Sequence, residues 1–379
     1  MNPLQGIVVA DFSRVLAGPL CTQLLADAGA RVIKVEEPGR GDETRRWGPP
    51  FVRGVSSYFL SINRNKESIA IDLKTAEGAN VARRLVDKAD VVVDNFLPAQ
   101  RAKLLPVNPG AVHCSIAGFD SDTAEAETPG YDLLAQAGSG LMSITGEEPT
   151  KAGVAVVDIL TAHYAYGAIC AALVARERTG EGSNIEVSLF GAAVASLINV
   201  AQSALLTGQE AKSYGNAHPS IVPYQLFHGS DRAFAIGAGT DRHFAQLCEH
   251  VIGKPELKDH PRFAANAARV ENREELVTLL EQTFAGARAE VWVARCRKAT
   301  IPASLVRGVR EALRTPEGKM LIETIEHPEI GPYEAVRNPI RIDGRRRPPS
   351  SPPPRLGEHT DDVVRWLAER DDRERDAAD

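Results

Sequence analysis

The segment "GIVVADFSRVLAGPLCTQLLADAGARVIKVEEP", residues 6–38, decides the fold class. It opens with a short apolar run typical of a buried strand, passes through a loop into a helical pattern, and ends in a second apolar run, "RVIKVEEP". Gly29 suits the position just after the helix, where a left-handed backbone is common. A strand, a helix and a second strand in this order predict a βαβ unit with parallel strands.

The same alternation continues along the first third of the chain. A strand at "SIAIDL" (68–73), a helix from about Thr75 to Lys88, and strands at "ADVVVDNF" (89–96) and "AVHCSIAGF" (111–119) extend the pattern. We therefore expect an α/β protein with a largely parallel sheet. Beyond it, "NIEVSLFGAAVASLINVAQSALL" (184–206) predicts more helix, and residues 221–326 predict a smaller α+β domain.

Composition limits the classes of function. The 379 residues are 43% hydrophobic and carry a net charge of −6, so no global field favours nucleic acid or an anionic membrane as a partner. We expect no apolar run as long as the roughly 20 residues of a membrane span, and "MNPLQGIVVADF" lacks a basic leader. Five scattered cysteines without a CxxC pair, and no zinc spacing, predict reduced thiols, a cytoplasmic protein and no metal.

The loop after the first strand lacks the dinucleotide fingerprint. "DFSRVLAGP" contains one glycine where that fingerprint needs three, so a Rossmann cofactor is not indicated. Small residues at Ala17-Gly18-Pro19 would nevertheless let a ligand approach the backbone N–H groups that open the helix. A tight strand-to-helix turn explains the same residues equally well.

Three basic residues fall near the predicted strand ends. Arg40, Lys74 and Arg101 are each compatible with an ordinary surface position, but together they would make a phosphate clamp at one edge of the sheet. Phe96 is available to pack on an aromatic base.

One carboxylate stands inside the apolar run "GVAVVDILTAHYAYG" (153–167). A carboxylate buried there is costly unless something pairs with it or uses it. Helical spacing places Asp158 at the N-cap or in the first turn of a helix, where it would serve as a cap. The same position favours the ionised form and keeps it available as a nucleophile, so both roles remain open.

The segment "PGYDLLAQAGSGLMSITG" (129–146) also allows two interpretations. It predicts either a helix start followed by close packing of small residues or the wall of a pocket. In the second case the Tyr131 hydroxyl would donate to a substrate oxygen.

Taken together, the motifs resemble one family. The segments "DFSRVLAGPLCTQLLADAGARVIKVEEPGRGD", "NRNKESIAIDLKTAEG", "VVVDNFLP", "GYDLLAQAGSGLMSITG", "RERTGEG" and "PPPRLGEHTDDV" closely resemble the class III CoA-transferase family. This is the group of formyl-CoA transferase, carnitine CoA-transferase and α-methylacyl-CoA racemase. The resemblance runs from Leu4 to about Leu367.

The resemblance implies a fold and an assembly. A large Rossmann-like domain with a parallel sheet would be built from both chain ends, residues 1–200 and 335–379. The small domain, 221–326, would lie between them, joined by linkers 201–220 and 327–334. Two subunits would form an interlocked homodimer, with no nucleic acid or membrane partner.

The resemblance also implies a site for coenzyme A, carried as an acyl-CoA substrate, and no metal. The family's catalytic aspartate falls on Asp158, and the substrate side would include Tyr58, Tyr131 and, unless it is an ordinary loop histidine, His218 in "GNAHPSIVPY" (215–224). The residues expected to bind CoA are Val15, Leu16, Ala17, Arg40, Lys74, Asn95, Phe96 and Arg101. The glycine-rich lid of formyl-CoA transferase is absent from this region, so an oxalate-type substrate is not expected.

The implied activity is an acyl-CoA:carboxylate CoA-transferase. Asp158 would form an aspartyl–acyl anhydride and then an aspartyl-CoA thioester. The first alternative is a 2-methylacyl-CoA racemase with Asp158 as base, which needs a second base opposite. Tyr131 stands where that branch has histidine, and an unperturbed tyrosine, with a pKa near 10, is a poor base at neutral pH. The second alternative is a non-catalytic CoA- or nucleotide-binding protein in which Asp158 only caps a helix.

Overall fold

The computed structural model describes residues 2–104, 108–347 and 349–376. The chain forms two compact units. The first comprises Met1–Met142, Lys151–Glu210 and Glu317–Asp379, and the second comprises Ser143–Thr150 and Ala211–Pro316.

The secondary structure alternates between strands and helices up to residue 188. In chain order, the strands of the described residues are β1 (Val8–Asp11), β2 (Arg31–Glu36), β3 (Phe51–Val52), β4 (Val55–Ser56), β5 (Lys66–Ala70), β6 (Val91–Asp94), β7 (Val112–Ala117), β8 (Ser183–Ser188), β9 (Tyr224–His228), β10 (Ala233–Gly237), β11 (Ala303–Leu305), β12 (Ile322–His327) and β13 (Gly331–Val336). The α-helices are α1 (Ala17–Asp27), α2 (Ser57–Ile62), α3 (Ala76–Lys88), α4 (Pro98–Leu104), α5 (Asp132–Gly138), α6 (Val156–Thr179), α7 (Leu189–Ala195), α8 (Ile198–Thr207), α9 (Asp241–Gln246), α10 (Asn266–Glu271), α11 (Arg273–Phe284), α12 (Ala289–Lys298), α13 (Val309–Arg314), α14 (Pro316–Lys319) and α15 (Thr360–Asp376).

The first unit is organised by a six-stranded parallel sheet in the order β5-β2-β1-β6-β7-β8. Side chains alternate between its faces: Val91 and Val93 of β6 enter one core cluster, and Val92 enters the other. Helices α1 and α6 pack in the first cluster, and α3 and α15 in the second. This three-layer α/β arrangement confirms the predicted fold class and is consistent with a Rossmann-like domain.

Local signals placed most of these elements correctly. Thr75 caps α3, because its side-chain oxygen accepts a hydrogen bond from the Gly78 N–H at 3.0 Å. Gly29 follows α1 with φ +103°, the left-handed conformation that the sequence predicted there.

The helical prediction for residues 184–206 is wrong in its first part. Ser183–Ser188 forms β8, which pairs in parallel with β7 and closes one edge of the sheet. Its residues alternate between half-buried and exposed up to Val187, and Ser188 is buried, as an edge strand with one face on the core requires. Helices begin only at Leu189 (α7), where the side chain of Ser188 caps the first turn.

The C-terminal part of the chain covers the opposite edge. The described strands of this sheet all come from residues 8–188, but residues 351–360 run beside β5. His359 exchanges two hydrogen bonds with the backbone of Ser68, through its N–H (2.9 Å) and its Nδ1 (3.2 Å). The Ala70 N–H donates to the hydroxyl of Thr360 at 3.0 Å. The unpaired polar groups of this edge are therefore partly satisfied within the chain.

Helix α6 departs from the expectation that no segment has the length of a membrane span. Its 24 residues reach a mean hydropathy of 1.5, so by length and composition alone α6 could cross a membrane. Helices α7 and α8 together are also long and apolar enough, but the chain bends by 76° between them. The buried side chains Val157, Ala165 and Ile169 of α6 belong to the core cluster that also holds α1.

The second unit has its own core. Its antiparallel sheet has the order β11-β10-β9. The ring of Phe284 on α11 meets those of Phe227, Phe234 and Trp292 at centroid distances of 5.0, 5.2 and 5.2 Å. Such edge-to-face packing explains how a small sheet supports a separate hydrophobic centre.

Candidate active site

A cavity of about 230 Å³ opens at the carboxyl ends of β1, β6 and β7, where parallel sheets present their ligand sites. Loops after these strands and the first turns of α1 and α6 form its walls. Seven residues predicted from sequence line it: Val15, Leu16, Ala17, Asn95, Phe96, Tyr131 and Asp158. The structure therefore brings together residues that are more than 140 positions apart in the chain.

A second cavity, of about 220 Å³, adjoins the first at the ends of β2 and β5. The two share Arg14, Phe96 and Gln100 in their linings. Lys74, predicted to hold the nucleotide, lines the second cavity. Asp158 and Lys74 thus line neighbouring cavities that share a wall.

Four predicted residues of the described structure line neither cavity: Arg40, Tyr58, Arg101 and His218. Arg40 is exposed and lines neither cavity. Arg101 also lines neither, since its guanidinium Nε donates to the carboxylate of Asp94 at 3.2 Å. His218 belongs to the second unit, where its Nδ1 accepts the backbone N–H of Ser220 at 3.0 Å.

Asp158 is the third residue of α6, within the first turn but not the cap. The cap comes from Asp132, whose Oδ1 accepts the N–H of Val157 at 2.9 Å. The other oxygen of Asp132 accepts the side-chain amide of Gln136 at 2.6 Å. Among the described residues the carboxylate of Asp158 has no hydrogen-bond donor, so its oxygens are not committed to the protein. Capping, the simpler explanation for Asp158, is therefore wrong.

The surroundings of Asp158 disfavour its charge. Burial, followed by the negative charge of Asp132, raises the pKa of Asp158 from 3.8 to about 7. A carboxylate in this state is available as an anion near neutral pH and is more basic than an exposed one. Any covalent product that removes its charge is favoured by the same environment.

Tyr58, in α2, is coupled electrostatically to this group. Burial, and then the negative charges of Asp158 and Asp132, raise the pKa of Tyr58 to about 12. The Tyr58 ring also packs edge-on against Trp47 at a centroid distance of 5.3 Å. Tyr58 therefore keeps its proton at neutral pH, which suits a hydrogen-bond donor and not a base.

The sequence missed three residues that shape the site. Arg14 and Gln100 line both cavities, and Asp132 both caps α6 and raises the pKa of Asp158. Arg14 could have been found, because it shares the "SRVLAGP" motif with Val15. Gln100, in the short helix α4 that follows β6, carried no signal in the sequence.

Asn95 lines the cavity, but its side chain is engaged. Its Oδ1 accepts the backbone N–H of Arg14 at 3.0 Å, and its Nδ2 donates to the Arg14 carbonyl at 2.8 Å. The guanidinium of Arg14 in turn pairs with Glu43 at 3.1 Å. Asn95 thus holds the neighbouring loop.

A metal centre is not indicated by the side chains present. Across residues 2–104, 108–347 and 349–376, no group of three or more His, Cys, Asp or Glu residues is placed to hold a metal ion.

Comparison with known proteins now identifies the family. The pattern of CoA-transferase family III matches residues 4–360, and the chain belongs to that family. Succinyl-CoA:glutarate CoA-transferase of Homo sapiens is 38% identical over 385 residues, which cover 98% of this chain and 88% of the relative. Succinate–glutarate CoA-transferase of Agrobacterium fabrum is 39% identical over 384 residues, 96% of each chain. The crystal structure of a CAIB/BAIF family protein from Brucella suis superposes with a TM-score of 0.84 at 40% identity, covering 96% of this chain and 99% of that one.

The protein is therefore a CoA-transferase, as the resemblance implied. Its substrates are an acyl-CoA and a carboxylic acid. The racemase and the non-catalytic binding protein, which the sequence left open, are the less favoured interpretations.

Proposed function

We propose that this protein moves CoA from succinyl-CoA to a short dicarboxylic acid such as glutarate, with Asp158 carrying the acyl group and then CoA. The observation that carries the proposal is the uncommitted carboxylate of Asp158, with its pKa of about 7, inside the cavity at the sheet edge. The substrate class is supported by the two relatives that are named for succinyl and glutarate transfer.

The chemistry needs no redox step and no net proton. An oxygen of Asp158 attacks the thioester carbonyl, the C–S bond breaks, and CoA leaves as a thiolate. The thiolate attacks the aspartyl carbon of the resulting anhydride, and succinate leaves. The acceptor carboxylate then attacks the aspartyl-CoA thioester, and the thiolate finally attacks the acceptor's acyl carbon and regenerates Asp158.

The neighbouring residues suit the charges that arise in these steps. The first attack converts the Asp158 carboxylate into a neutral acyl derivative, and Asp158 stays neutral until the last step; its environment favours this uncharged form. The protonated hydroxyl of Tyr58 is a suitable donor to a substrate oxygen, and Tyr131 lies in the cavity wall. The cavity lined by Lys74 is the place we assign to the nucleotide of CoA.

The proposal includes an interlocked homodimer. Large apolar side chains on the surface of the first unit support it, because exposed apolar groups on neighbouring helices favour association. They include Leu134 on α5, Tyr164 and Val174 on α6, and Leu205 and Leu206 on α8, which are 55%, 48%, 54%, 80% and 78% exposed in the single chain. Light scattering on the purified protein tests the assembly, and a monomeric mass contradicts it.

The test of the mechanism is a covalent adduct. The protein is incubated with succinyl-CoA without acceptor, quenched, digested and analysed by mass spectrometry. We expect a CoA adduct on the peptide containing Asp158, its loss in Asp158→Asn, and its retention in the control Asp122→Asn, whose side chain is exposed. Two results contradict the mechanism: a wild-type protein that transfers CoA without forming an adduct on Asp158, or an Asp158→Asn variant that keeps full activity.

Acceptor and reaction class need a second assay. With succinyl-CoA as donor, glutarate should be used more efficiently than acetate or oxalate. Equal or better use of acetate contradicts the dicarboxylate assignment. Exchange of the α-hydrogen of a 2-methylacyl-CoA for deuterium, without CoA transfer, would instead support the racemase.

A further inference from the structure

A buried ion pair lies beneath the loop that follows β1. The side chain of Lys34, on β2, is fully buried, and its ammonium pairs with Asp42 at 2.9 Å and donates to the Ser13 carbonyl at 2.9 Å. Asp42 is also buried and accepts the N–H and hydroxyl of Thr44 at 2.9 and 2.7 Å. A carboxylate oxygen of Asp42 lies 3.3 Å from the N–H of Val15. The ion pair therefore contacts the loop at two backbone groups, the Ser13 carbonyl and the Val15 N–H.

The loop has a conformation that needs such support. Val15 has φ +72°, in the left-handed region that β-branched residues rarely adopt. Strain of this kind costs on the order of 1–3 kcal/mol and persists where the surroundings enforce it.

The residues before Val15 are fixed as well. Arg14 is held through both backbone groups by Asn95, at 3.0 and 2.8 Å. Ser13 donates its N–H and hydroxyl to Asp11 at 3.0 and 2.5 Å. Ser13, Arg14 and Val15 are therefore held by side chains from separate segments of the chain.

The held backbone forms a wall of the cavity that contains Asp158. Val15, Leu16 and Ala17 line it, and α1 begins at Ala17. The cap residue of α1, Leu16, makes no side-chain hydrogen bond, and the first turn contains no acid. Among the described residues, the N–H groups of Leu16 and Ala17 have no partner. Free N–H groups at a helix start can stabilise the negative charge that develops on a thioester oxygen under attack.

We propose that Lys34 and Asp42 are positioning residues for CoA transfer: they hold the strained backbone of Val15–Ala17 where it receives the thioester beside Asp158. The inference rests on the proposed use of Asp158. Stability alone is a weak reason for such a pair, because hydrophobic residues of similar volume often replace a buried ion pair without loss. The pair instead joins β2 to a loop whose backbone both is strained and lines the cavity.

The experiment compares the buried cation Lys34 with the half-buried cation Arg176. Lys34→Met keeps the length of the side chain and removes the ion pair. The control Arg176→Met removes a partly buried pair with Asp90 (2.8 Å) that lies before β6, at the other end of the sheet. For each variant, kcat and KM for succinyl-CoA are measured per mole of folded protein, together with hydrogen exchange of the peptide spanning residues 12–20.

We expect Lys34→Met to lower kcat about 100-fold, the order of loss that a displacement of about 1 Å at a reacting centre causes. Exchange in residues 12–20 should accelerate in the same variant. Arg176→Met should keep kcat within about threefold and leave that exchange unchanged, although both variants lose thermal stability. A purely structural pair would lower stability in both variants without separating their kcat values.

A folded Lys34→Met protein with kcat within about threefold of wild type, or with unchanged exchange in residues 12–20, overturns the proposal. If Lys34→Met does not fold, Asp42→Asn decides by the same two measurements, since asparagine keeps the size of the side chain and an acceptor for Val15. Failure of the underlying mechanism is recognised separately, because the wild-type protein would then form no adduct on Asp158.

Discussion

Replacing Asp158 with asparagine should stabilise the folded protein while abolishing CoA transfer. In the folded protein the pKa of Asp158 is about 7, raised from 3.8 by burial and by the charge of Asp132. The folded state therefore binds this proton more tightly than the unfolded state, and the wild type loses stability as pH rises from about 4 to about 7. Asparagine is neutral throughout, so the advantage of Asp158→Asn is absent near pH 4 and complete above pH 7.

The size of the gain follows from the shift. A change from 3.8 to about 7 is about 3 pKa units, and at about 1.36 kcal/mol per unit the ceiling is about 4 kcal/mol. The carboxylate of Asp158 is only partly buried beside the cavity, so solvent screens some of this cost. We expect about 2 kcal/mol at pH 8, or a few degrees in Tm.

The assay is urea unfolding of the protein without CoA at about pH 5, 6, 7 and 8, followed by circular dichroism. Asp122→Asn, which removes an exposed carboxylate, is the control and should change the free energy of unfolding by less than about 0.5 kcal/mol. The reasoning is refuted if Asp158→Asn is no more stable than wild type at pH 8, or if its gain is the same at pH 5.

Four further outcomes follow from the site. The value of kcat/KM should fall about tenfold per pH unit below pH 7, because Asp158 must be ionised to attack; a flat profile down to about pH 5 contradicts this. Asp132→Asn removes the neighbouring charge and should move that acidic limb to lower pH, and an unmoved limb would exclude Asp132 as a cause. Gly18→Ala places a methyl carbon 2.2 Å from the Cβ of Ser13 and should lower kcat at least about tenfold, with partial recovery when Ser13→Gly is added; no recovery argues against a clash with the loop. Lys74→Met should raise KM for succinyl-CoA about tenfold with little change in kcat, whereas an unchanged KM removes Lys74 from the nucleotide site.

Local patterns predicted the elements whose signals are contained within one segment. The βαβ unit of residues 6–38, the capped helix after Thr75 and the left-handed Gly29 all depend on neighbours a few positions away. Strand β8 was missed although its period-two pattern is present in the sequence. The apolar residues from Leu189 onward continue "NIEVS" into a run that resembles one long helix.

The sequence predicted which residues belong to the site better than it predicted the contacts between them. The cap of α6 comes from Asp132, 26 residues before Asp158 in the chain, and no helix-start rule links two separate segments. Lys34 lies in a strand of mostly apolar residues. Nothing in "RVIKVEEP" shows that its ammonium contacts the Ser13 carbonyl in the loop after β1 and pairs with Asp42. The family resemblance assigned Asn95 to CoA binding, whereas its side-chain amide is hydrogen-bonded to the backbone of Arg14.

The strip of hydrogen bonds between β5 and residues 351–360 has a consequence for synthesis of the chain. All six strands of the sheet are made before residue 189, yet the outer edge at Ser68 and Ala70 finds its partners only when His359 and Thr360 have been made. During the intervening translation, a nearly finished sheet presents an open strand to other chains. The period of greatest risk of aggregation therefore comes late in biosynthesis, and a chain truncated just before this strip would retain that risk permanently.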